Sequence, residues 1–81
     1  METRVAVIAI LVKNRESSSK INEILHEYGD FIIGRMGLPY RAKKINIISV
    51  AVDAPQDIIS AISGKIGALN DVSTQTVYSK I

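Results

Sequence analysis

Eight consecutive residues, Val5-Ala6-Val7-Ile8-Ala9-Ile10-Leu11-Val12, are apolar. In an extended strand they divide into two rows, Val5, Val7, Ala9 and Leu11 on one face and Ala6, Ile8, Ile10 and Val12 on the other. A strand apolar on both rows belongs in the middle of a sheet that is covered on both sides. The run is too short to cross a bilayer, which takes about 20 residues in a helix. Lys13 follows it where a cleaved leader would show small residues, so neither a membrane segment nor a leader is expected and the chain reads as cytoplasmic.

The first strand is predicted over Thr3 to Val12, and Lys13-Asn14-Arg15-Glu16 as a polar turn. Ser17, Ser18 and Ser19 are then candidate N-caps, whose hydroxyls can accept from free N–H groups of a helix. Ile21, Ile24, Leu25 and Tyr28 recur at helical spacing, with Asn22, Glu23, His26 and Glu27 on the other side and Gly29 as the expected left-handed terminus. Phe31-Ile32-Ile33 opens a second strand continuing through Gly34-Arg35-Met36-Gly37, whose glycines predict a bulge, and Leu38-Pro39-Tyr40 is expected to turn the chain. Lys44 to Val52 is a third strand, apolar on both faces. Pro55 should stand at the first position of a second helix, where its missing N–H costs nothing. Ile58, Ile59, Ile62 and Ile66, with Ala61, form that helix's apolar stripe, and Gly67 ends it. The last strand, Asp71 to Lys80, is the most polar, as an edge should be.

The order β-α-β-β-α-β, with apolar first and third strands, predicts an α+β ferredoxin-like fold. Its antiparallel sheet runs 4-1-3-2, both helices lie on one face, and residues 1–81 form one domain. The face without helices would then carry Ile and Val. Such a patch exceeds what monomers usually leave exposed, so a second sheet or another copy of the chain is expected to cover it.

The chain contains no Cys, which excludes disulfides, thiolate metal sites and thiol catalysis. His26, the single histidine, sits on a polar helical face, so no metal site is expected, and no cofactor either. Ser63-Gly64-Lys65-Ile66-Gly67 lacks two requirements of a phosphate-binding loop: Ile59 stands where the earlier glycine belongs and Ile66 where a Ser or Thr should follow the lysine. Net charge is only +2, a weak field for a nucleic-acid binder. Arg35, Arg41, Lys43 and Lys44 form one basic cluster, with Arg35 as a fork for a carboxylate or phosphate and Tyr40 beside it as an aromatic surface. The loop Lys13–Ser17 joins a buried strand to a helix N-terminus, where free N–H groups favour anions; Asn14, Arg15 and Ser17 can add donors.

Leu11-Val12-Lys13-Asn14-Arg15, a helix, and then Phe31-Ile32-Ile33-Gly34-Arg35 resemble the start of ACT-like regulatory domains. Four stretches together resemble small stand-alone proteins described as iron-only hydrogenase system regulators: Asn14-Arg15-Glu16-Ser17, Ile33 through Tyr40, Ile45-Asn46-Ile47-Ile48-Ser49, and Ser63 through Gly67. A more distant similarity is to the ligand-binding domain of nickel-responsive repressors, whose several histidines and cysteine are missing here. The resemblance implies an ACT-type fold, assembly into dimers or larger oligomers, and a small effector bound near the first strand–helix loop at a subunit interface. Carried onto this chain, it points to Asn14, Arg15, Glu16 and Ser17; Glu16 and Ser17 stand where ACT loops often carry an acidic residue and a glycine.

The role this resemblance implies is a regulatory protein, an oligomeric small-effector-binding or sensing module and a candidate transcriptional regulator linked to iron-only hydrogenase. The expected site is Asn14, Arg15, Glu16, Ser17, Arg35 and Tyr40. Its partners would be further copies of the chain, in a dimer or tetramer through the open sheet face or the edges, together with a small effector. No membrane partner is expected, and DNA binding has no motif behind it. The alternative is a small enzyme or accessory protein on the same fold, for which no general acid/base pair is visible.

Overall fold

In the computed structural model, which describes residues 2–80, strand β1 (Arg4–Val12) is followed by helix α1 (Arg15–Glu27) and strands β2 (Ile32–Tyr40) and β3 (Ile45–Ala54). Helix α2 (Gln56–Gly67) and strand β4 (Val72–Tyr78) complete the chain. The sheet is antiparallel with the order β2-β3-β1-β4, the ferredoxin-like arrangement expected. The two strands apolar on both rows are the central ones, because only there can neighbours shield the whole backbone ladder.

One row of each central strand meets the helices. Ala6, Ile8, Ile10 and Val12 of β1 and Ile48, Val50, Val52 and Ala54 of β3 are buried, with Ile21 and Leu25 from α1 and Ile59, Ile62 and Ile66 from α2. Ile58 and Ala61 are only half-buried at the margin of the α2 stripe. The molecule measures 41 × 21 × 17 Å. Its smallest dimension is that of one sheet and one helical layer, since a helix alone is about 10 Å across.

Several local expectations are corrected. Ser17–Ser19 do not cap α1; Asn14 does. Its extended backbone (φ −97°, ψ 125°) lets Oδ1 accept from the N–H groups of Glu16 at 2.8 Å and Ser17 at 3.2 Å. Helix α1 therefore starts two residues before the serines, and Ser17 faces inward instead. Gly29 is not left-handed: α1 ends at the Tyr28 cap and passes into a 3₁₀ turn, Gly29–Phe31. The left-handed positions among the described residues are Lys44 (φ 54°) and Asp71 (φ 59°). Lys44 closes the turn Arg41–Lys43, so the chain reverses after Tyr40. Leu38-Pro39-Tyr40 stays in β2, because β2 is an edge strand and tolerates a residue without an N–H. The bulge does occur, between Ile32 and Gly34. Pro55 stands just before α2 as its N-cap. At Gly67 an added Cβ would come within 3.0 Å of Thr74 Oγ1, so the missing side chain lets the end of α2 lie close to β4.

Candidate effector cleft and the helix-free sheet face

Val12, buried, hands the chain to Lys13, whose N–H donates to the Asp71 carbonyl at 3.1 Å. Asn14 is committed to capping. Ser17 is 3% exposed, and its hydroxyl donates to the Asn70 carbonyl at 2.7 Å, tying α1 to the turn before β4. Arg15 and Glu16 stand in solvent. Two of the four loop residues expected at an effector site are thus spent on local structure.

Arg35 and Tyr40 part company. Arg35 pairs with Val50, whose row faces the helices, whereas Tyr40 pairs with Ile45 on the opposite face. Arg41, Lys43 and Lys44 lie at the far end of β2, in the turn. The expected basic cluster with an adjoining aromatic is therefore divided between two faces, because strand neighbours alternate.

Arg35 joins a different group. Neither helix covers the helix side of β2, and a cleft of about 260 Å³ opens between α1 and the β2–β3 ladder. Ser18 and Asn22 line it from α1, one helical turn apart. Arg35, Gly37, Leu38 and Pro39 line it from β2, and Asn46 and Ile48 from β3. Arg35 Nη2 donates to Asn22 Oδ1 at 2.8 Å, and Asn46 Nδ2 donates to Ser18 Oγ at 3.3 Å. The sequence reading singled out Arg35 but passed over Ser18, Asn22 and Asn46 as site residues. A signal was there: Asn46 is the polar position in the row that continues as Ile48, Val50 and Val52.

The face without helices is apolar apart from Ser49 and Asp53 of β3 and Ser73 and Gln75 of β4. Among the described residues nine large apolar side chains are exposed, and eight of them share this face by strand register: Val5, Val7 and Leu11 of β1, Ile47 of β3, Met36, Leu38 and Tyr40 of β2, and Val77 of β4. The ninth is Ile33, at the bulge.

Two other clusters lie apart from the cleft. Arg4 Nη1 donates to Gln56 Oε1 at 2.7 Å, Gln56 Nε2 donates to the Tyr78 hydroxyl at 2.7 Å, and the Arg4 guanidinium lies 4.4 Å from the Tyr78 ring centroid. They clasp the start of β1, α2 and the end of β4. Lys65 bridges to Glu27 at 3.4 Å and lies 5.0 Å from the Tyr28 ring centroid. Contact with Tyr28 is the largest cause holding its ammonium above the usual lysine range; desolvation pulls the other way, and Glu27 adds to the rise.

Among the described residues no group of three or more His, Cys, Asp or Glu side chains could hold a metal, and no helix is long and apolar enough to cross a membrane.

The profile of one protein family, described as "TM1266-like: Iron-only hydrogenase system regulator, putative", matches residues 4–76. The chain belongs to this family. It is 32% identical to the protein TM1266 from Thermotoga maritima, covering 98% of this chain and 100% of that one with a TM-score of 0.94. The structural likeness to the C-terminal domain of the MgtC protein from Mycobacterium tuberculosis covers 95% of this chain and 88% of that one, at 4% identity and a TM-score of 0.76. A "putative glycine cleavage system transcriptional repressor" is matched over 98% of this chain and 47% of that one, at 14% identity and a TM-score of 0.73. These last two likenesses concern the fold alone, which is ACT-like. No curated protein matches the chain.

Proposed function

We propose that this member of the TM1266-like family is an effector-responsive regulatory module of the iron-only hydrogenase system, working as an oligomer in which two copies pack their helix-free sheet faces together. The observation that carries it is the gathering of eight exposed large apolar side chains on that one face. Four strands about 4.8 Å apart and some 25–30 Å long give a face of roughly 500 Å² in plan. Side chains standing out of that plane bring its accessible area toward the roughly 800 Å² that one partner contributes to a standard interface. A two-fold pair needs only this patch, since each copy supplies both halves of an isologous contact. At the β2 edge, Pro39 and a bulge both discourage strand addition, which favours the face over that edge as the contact. Effector binding would then act by favouring one packing of subunits over another.

Sedimentation equilibrium tests the reading. A dimer or higher oligomer is expected, and Val7→Asp should yield a monomer with unchanged far-UV circular dichroism. A wild-type chain that stays monomeric up to about 100 μM, a concentration at which an interface of ordinary strength is filled, overturns it. A thermal-shift screen of carboxylates, amino acids, nucleotides and metal ions tests the effector half, which fails if no compound raises Tm.

A further inference from the structure

We propose that the cleft between α1 and the β2–β3 ladder binds a short monocarboxylate that carries no ammonium group. This deepens the effector reading above and rests on it; it does not need the sheet-face dimer, because one chain supplies every wall.

The charge of the lining selects the ligand. Arg35 is its single charged residue, and no Asp or Glu lines the cleft. One guanidinium balances a mono-anion; a doubly charged phosphate would lack a second cation. The bond to Asn22 Oδ1 uses one of the five guanidinium donors and holds the fork in place, leaving the others for a carboxylate. The Ser18 hydroxyl accepts from Asn46 and still has its own proton to donate. The same inventory argues against a zwitterion. An ammonium would find only neutral acceptors, the amide oxygens of Asn22 and Asn46 and the Ser18 hydroxyl, and no carboxylate to offset its repulsion by Arg35.

The shape selects a small ligand with an apolar tail. Pro39 and Ile48 supply apolar walls, and about 260 Å³ holds an acid of a few carbons. Gly37 pairs with Ile48, so its missing side chain would point to the helix side. A Cβ built there meets nothing within 4 Å. Gly37 therefore leaves room where any other residue would project into the cleft, and this gives a variant that fills the site without a clash.

The test uses the full chain labelled with ¹⁵N and titrated with propionate, pyruvate, alanine and inorganic phosphate, following amide signals. Propionate or pyruvate should move Arg35, Gly37 and Asn46, with a dissociation constant on the order of 1 mM, ordinary for so few ligand atoms. Alanine and phosphate should bind at least about tenfold more weakly. Arg35→Gln and Gly37→Val should each abolish the shifts while keeping the wild-type spectrum elsewhere. Alanine or phosphate binding as tightly as the carboxylates, or Gly37→Val binding propionate normally, overturns the proposal. Shifts confined to Arg15 and Glu16, with any compound, overturn the cleft and leave the effector reading standing. If no compound moves any signal, the cleft proposal fails, while the effector reading falls only with the wider thermal-shift screen.

Discussion

Strand β1 has two rows of nearly the same composition and opposite fates. Ala6, Ile8, Ile10 and Val12 are at most 2% exposed, whereas Val5, Val7 and Leu11 are 40–47% exposed. Residue chemistry does not separate them; the helices do, by crossing one side only. The buried row shows what the chain stabilises by itself. The bare row shows apolar surface that a further layer would have to shelter, for which we propose a second copy.

The largest expected effect breaks the comparison from its buried side. Ile10→Ala should cost about 2–5 kcal/mol, read from urea denaturation, because Ile10 is fully enclosed. Leu11→Ala on the other row should cost less, and by an amount that grows with protein concentration if a partner covers that face. Equal, concentration-independent losses would erase the distinction between the rows.

A smaller effect sharpens the comparison at the loop, where side chains shape the structure from within. Ser17→Ala removes the bond to the Asn70 carbonyl and should cost about 1 kcal/mol in the same assay. Asn14→Ala should cost about as much, with Asn14→Ser largely restoring it, since both residues cap. No loss at Asn14 would mean that water serves the free N–H groups equally well.

The smallest effect belongs to the exposed pair on the helix side. Lys65 is raised in the folded chain, so what it contributes is fully present below its unfolded pKa and is lost as pH climbs through the folded value. Lys65→Met should therefore leave Tm nearly unchanged at neutral pH and flatten only the alkaline end of the stability curve. A marked drop at pH 7 would show that Tyr28 and Glu27 hold the helices together through it.

Much of this was legible in the residues. Apolar residues on both rows of Val5–Val12 and of Lys44–Val52 named the central strands, the isoleucine stripe of α2 named its buried face, and the polar fourth strand named an edge. Caps and turns were less legible: Asn14 and a run of three serines all have capping chemistry, and only the loop's path from β1 decided among them. Arg35 was visible as an anion fork. Its companions were not, because Ser18, Asn22 and Asn46 come from three separate stretches and each looks like an ordinary solvated residue.

The sequence alone determined which elements form and how the strands are ordered, because periodicity and apolar burial are local properties summed along the chain. Only the tertiary structure decided which apolar row meets the helices, that Arg35 and Tyr40 face opposite ways, and that Asn46 stands across from Ser18. Those facts depend on register and on how the elements pack, which bring residues distant in the chain together and which no local pattern records.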